Sequence, residues 1–208
     1  MTLVAVALAL MMGWPPAPAP RAMSSVGLGP FRLGMTRDET QRAAPCHLRR
    51  PPGQSAVNDL SCSDFKLLTS KMSLRLSFKD DRLVMIGLSR TGYSESRARE
   101  GIDVVLRSLS GEFGELASPQ MAAQTVTAEA AFANLKRNLT YASTAGLTVM
   151  PVTAVHGMFV SATFSLSRSA APQGGMSDDW YEGKPGSAGS PVNLVTHTVS
   201  VTIRSDSF

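Results

Sequence analysis

Between residues 72 and 113 the hydrophobic pattern changes period once, and that change organises the chain. In Met72-Ser73-Leu74-Arg75-Leu76-Ser77-Phe78 apolar residues alternate with polar ones, the period of a strand with one buried and one wet face. Lys79-Asp80-Asp81-Arg82 interrupts the run with turn-forming acids and Leu83 to Leu88 resumes it, which predicts an antiparallel hairpin. Two registers are open. A two-residue turn at Asp80-Asp81 pairs Phe78 with Leu83, whereas one further loop residue places Val84, Ile86 and Leu88 on the face of Leu74, Leu76 and Phe78. From Ser94 the period becomes 3.6. Ala98, Ile102, Val105, Leu106, Leu109 and Phe113 form a stripe, while Arg97, Arg99, Asp103 and Arg107 lie off it. A long helix packed on a sheet is the expected core unit.

Shorter elements flank it. Thr36 with Glu39 three residues later is a capping box, which starts a helix at Arg37 that runs to about Ala44 and stops before Pro45. Beyond the long helix, Gly111, Gly114 and Pro119 mark an exit segment. Residues 127–139 fit two periods: Ala128, Ala131, Phe132, Leu135 and Leu139 match a helix capped by Thr127, while Val126, Ala128, Ala130 and Phe132 alternate as in a strand. Glu129 near the start and Lys136 and Arg137 near the end suit a helix dipole, so a helix is expected. Leu147–Val152 and Met158–Leu166 read as strands joined by a loop with His156-Gly157, and Val195, Val199, Val201 and Ile203 alternate in a closing strand. Between the last two strands, residues 169–191 are rich in Gly, Pro and Ser, with Asp178-Asp179-Trp180-Tyr181-Glu182 in the middle. The expected fold is α+β, an antiparallel sheet with helices packed on one face.

The segment Phe31-Arg32-Leu33-Gly34-Met35-Thr36-Arg37, then a short helix, Cys46 just after it and Cys62 on the following strand, resembles the opening of the β-lactamase inhibitory proteins. It is also similar to the small lipoprotein of the outer-membrane β-barrel assembly machine. The resemblance covers residues 31–62. It implies a helical opening packed on an antiparallel sheet, an intradomain disulfide and a role in binding other proteins rather than in chemistry. Read on their own, Cys46 and Cys62 are the only cysteines, and in an oxidising compartment a lone pair is most simply a disulfide. A metal site on Cys46, His47 and Cys62 is the competing reading, and it lacks a fourth ligand.

Composition narrows function more by exclusion than by assignment. Residues 3–12 are an uninterrupted apolar run, too short to span a bilayer and of signal-peptide length. This predicts a signal peptide over 1–24, a mature end between Met23 and Gly27, and one exported domain over 25–208, periplasmic or secreted, with no stable membrane span after cleavage. The net charge of +4 is spread among acids, and no nucleic-acid motif accompanies it. No phosphate-cradling loop, HExxH pair or nucleophile elbow occurs, and no cofactor is implied. The three histidines, His47, His156 and His197, share no metal spacing, and His197 is in phase with the apolar residues of its strand. Asn138-Leu139-Thr140 matches a glycosylation sequon. Asp178, Asp179, Trp180 and Tyr181 stand out as a partner-binding candidate, because paired large aromatics in a polar loop favour protein interfaces. The expectation is therefore a non-enzymatic module for a protein partner in the cell envelope. The alternative is an enzyme or small-ligand protein built on the 178–182 segment and His197.

Overall fold

A computed structural model of the chain describes residues 26–51, 58–121, 125–170 and 193–206. The chain opens with a small hairpin, β1 (Gly27–Leu28) and β2 (Phe31–Arg32), followed by α1 (Arg37–Ala43). Three strands follow: β3 (Asp59–Leu67), β4 (Ser70–Lys79) and β5 (Arg82–Gly92). Then come α2 (Glu95–Phe113), β6 (Leu116–Ala117) and α3 (Ala128–Leu139). The chain closes on β7 (Thr144–Pro151), β8 (Met158–Ala170) and β9 (Asn193–Ser205). Apart from the opening hairpin, the strands form one seven-stranded sheet in the order β3-β4-β5-β9-β8-β7-β6, antiparallel at every pairing. The expected α+β class and the helix over the ambiguous residues 128–139 both hold.

The hairpin β4–β5 reconciles the two registers. Lys79 pairs with Arg82 and Phe78 with Leu83, so the turn is the two-residue one at Asp80-Asp81. Both aspartates have positive φ, 51° and 59°, the mirror-image turn that matches strand twist. One residue later the register slips, Ser77 pairing with Met85. Val84 is thus the extra residue of a bulge, and it moves Ile86 and Leu88 onto the face of Leu76 and Leu74. Val84 itself does not join that face; Ile86 and Leu88 are buried and Val84 is half-buried.

Helices α2 and α3 cover the apolar face of the sheet. Gly101 lets α2 approach β9 closely, since an added Cβ would lie 3.3 Å from Val199 Cγ2. The buried stripe of α2 is wider than the sequence pattern, taking in Gly101 and Val104 and leaving Phe113 only partly covered. The reason is that the helix packs on the sheet, on α3 and on β1 at once. Helix α1 carries the predicted capping box in full: Thr36 N donates to Glu39 Oε2 at 2.7 Å and Glu39 N donates to Thr36 Oγ1 at 3.2 Å. Thr36 Oγ1 also donates to Glu39 Oε2, at 3.0 Å, and the two bonds that the carboxyl accepts from Thr36, the backbone one first, hold it below the usual carboxylate range. Cys46 and Cys62 are bonded, S–S 2.07 Å. Beside the disulfide, Arg49 exchanges two backbone hydrogen bonds with Ser61 of β3, which covers part of that edge strand.

Candidate partner-binding site

The other face of the sheet carries no helix among the described residues, and its composition follows from the strict alternation of the strands. On β5 the side chains pointing there are Met85, Gly87, Ser89 and Thr91; on β9 they are Thr196, Thr198, Ser200, Thr202 and Arg204. On β8 they are Phe159, Ser161, Thr163, Ser165 and Ser167, and on β7 Thr144, Gly146, Thr148 and Met150. The register aligns them in rows. One row runs Ser73, Ser89, Ser200, Thr163, Thr148 across five strands, and another runs Thr91, Thr198, Ser165, Gly146. Some hydroxyls partner one another or the backbone, as Thr91 with Thr198 at 3.3 Å and Ser200 Oγ donating to the Thr163 carbonyl at 3.4 Å. A face of neutral, partly paired hydroxyls costs less to dehydrate than one of charges.

At one corner the hydroxyls give way to larger groups. Arg204 lies over the Phe159 ring, 4.9 Å from its centroid, with Met85 paired opposite Arg204 on β5. Phe159 is 38 % exposed. It also lines an apolar hollow of about 190 Å³ with Met150, Val155 and Met158 at the β7–β8 turn. Val152, in that turn, is another exposed large hydrophobic residue. Toward β3 the same face carries Arg75, whose guanidinium is fixed by the buried carboxylate of Asp59, Nε to Oδ2 2.8 Å.

The residues singled out from sequence fall in different places. Asp178, Asp179, Trp180 and Tyr181 lie outside the described residues, as does the apolar run at 3–12. The disulfide takes both thiols that the metal reading needed, and His47 and His156 are exposed on separate parts of the surface. His197 is 2 % exposed on the helix-covered face, as its phase predicts. It is not a satisfied histidine, however: both ring nitrogens lack a hydrogen-bond partner. Burial, then the charges of Arg90 and Arg97, push its pKa down to about 4. Across the β5–β9 ladder Gly92 makes room for the ring, an added Cβ there falling 2.7 Å from Cε1.

What the sequence reading missed is the Phe159–Arg204 corner. Its signal was an aromatic and a cation each in the polar phase of its strand, Phe159 out of step with Val160, Phe164 and Leu166. Comparison with protein-family models, with curated proteins and with solved structures finds no match. The class that fold and face define is an α+β domain with helices on one sheet face and, among the described residues, none on the other. No helix among the described residues is long and apolar enough to cross a membrane.

Proposed function

We propose that the protein is an exported, non-enzymatic binding module that holds a protein partner on the open sheet face, anchored at the Phe159–Arg204 corner. The observation that carries this reading is the stacked Arg204–Phe159 pair beside an apolar hollow, bordered by the rows of small hydroxyls on β9, β8 and β7. Interface cores are depleted in charge and enriched in aromatic residues, Met and Arg, and their energy concentrates in a few such anchors. Small hydroxyls around the anchor supply flat area of low side-chain entropy rather than hot spots. The resemblance of residues 31–62 to the β-lactamase inhibitory proteins supports the same class of role, with the weight that shared fold carries for function.

The test uses the purified protein as bait against an envelope extract of its own host. Phe159→Ala with Arg204→Ala should weaken retention of the captured protein by roughly 30-fold, about 2 kcal/mol, with the melting temperature little changed because both side chains are exposed. Equal retention by wild type and double variant would defeat the proposed anchor. If retention then falls on changing Trp180 and Tyr181 to Ala, binding belongs to the 169–191 segment.

A further inference from the structure

Strands β4 and β5 part company before they end. Their ladder stops at Ser73 opposite Ser89. Below it Met72, Lys71 and Ser70 pair only with β3, while Arg90, Thr91 and Gly92 pair only with β9. The split is the floor of a polar cleft of about 500 Å³, walled by Ser70, Lys71, Arg90 and Thr91 of the two strands and by Arg97 and Glu100 of α2. Arg90 sits in phase with Ile86 and Leu88, opposite Val199, so its cation is on the covered side of the sheet and only 17 % of its side chain is exposed. A cation so placed is costly unless paired. Arg90 Nη1 donates to Ser70 Oγ across the split, and Nη2 meets Glu100 Oε2 at 3.7 Å, too long for a direct hydrogen bond. A guanidinium has five donors, so these two contacts leave further ones for the cleft.

We infer that this cleft is a binding site for an oxyanion, the carboxylate or phosphate end of a small polar molecule. The charge balance favours an anion, since Lys71 and Arg90 line the cleft with one acid, Glu100. The volume is in the range of small-ligand sites, and the hydroxyls of Ser70, Ser73, Ser89 and Thr91 are suited to the polar body of such a ligand. A planar guanidinium held at the base of the split matches the geometry of either oxyanion. An anion bound there also screens the positive field of Arg90 and Arg97, which acts on His197. The site makes no use of the Phe159–Arg204 corner, so it stands or falls independently of the protein partner.

The experiment titrates the isotope-labelled full chain with inorganic phosphate, and separately with acetate, against chloride at constant ionic strength, following amide and His197 ring resonances. Saturable shifts at Ser70, Lys71, Thr91 and Arg97, with an upward move of the His197 titration midpoint, are expected for at least one of the two anions. Whichever binds more tightly names the ligand end. Lys71→Gln, an exposed position that keeps the fold, should weaken binding at least fivefold, and Lys71→Arg should restore most of it. Shifts that grow linearly without saturation for both anions overturn the inference. So does unchanged affinity in Lys71→Gln, which would leave an adventitious ion only.

Discussion

At the scale of a residue, His197 is where the chain departs most from ordinary practice, because a buried imidazole normally has at least one partner. Its folded-state pKa of about 4 lies below the unfolded value of 6.5. Between those values the unfolded chain binds a proton that the folded chain refuses. The group's contribution to stability is therefore complete above pH 6.5 and is lost as pH falls toward 4. At 1.36 kcal/mol per pKa unit the loss is about 3 kcal/mol. Replacing His197 by Leu, of similar volume and without polar atoms, should raise the melting temperature at neutral pH by removing two unsatisfied nitrogens, a gain of about 1–2 kcal/mol. It should also flatten the decline between pH 6.5 and 4. Melting curves of both proteins across that range decide the matter, and parallel profiles would show that the ring is not the group responsible. The sequence announced the burial of His197 through its phase. It held no hint of the missing partners, since Arg90 and Arg97 come from remote elements.

At the scale of an element, the hairpin β4–β5 shows how a bulge resolves an ambiguity that periodicity alone leaves open. Alternation specifies which residues share a face, but a single inserted residue is invisible to it, because the pattern on either side stays intact. Deleting Val84 should remove the slip between Ser77 and Phe78 while Ile86 and Leu88 stay opposite Leu76 and Leu74. A folded variant with native-like amide resonances is the expected result, whereas collapse of the folded yield, as a flipped face would give, would refute the bulge. The turn offers a stabilising change. Asp81 at φ 59° is strained where Gly is not, so Asp81→Gly should stabilise by about 0.5–1 kcal/mol, the exposed contact with Arg37 at 3.9 Å being of little worth. Cys46→Ser opens a loop whose closure contributes about 3 kcal/mol on the chain-entropy account. A loss of that order in denaturant unfolding is expected, and free alkylation of both thiols in the natively purified protein would contradict the bond. Helix α3 was legible despite its double period, because Thr127 accepts from Ala130 N at 3.2 Å and Ala131, Phe132, Leu135 and Leu139 are the residues that become buried. Strands β1, β2 and β6 were not, since two residues carry no periodicity.

At the scale of the whole molecule, the layer order was readable because helical and strand periods alternate with clear breaks. The strand order was not, since the insertion of β9 between β5 and β8 is a long-range pairing that no local pattern encodes. The same limit hid the split at Arg90, which needs β4 and β5 to be pulled toward different neighbours. That topology bears on the segment joining β8 to β9. The two strands are adjacent and paired along their length, from Met158 opposite Ser205 to Ala170 opposite Asn193. The ladder therefore brings the two ends of the segment together whatever lies between them. Loop closure costs about 0.6 kcal/mol less for each halving of length. Replacing residues 172–189 by a short Gly/Ser linker should thus leave the melting temperature unchanged or raise it by a few degrees, as about 1 kcal/mol does for a domain of this size. A fall of more than a few degrees would mean that the segment contributes packing of its own. In that case the capture experiments with Trp180 and Tyr181 would have to be read as tests of stability as well as of recognition.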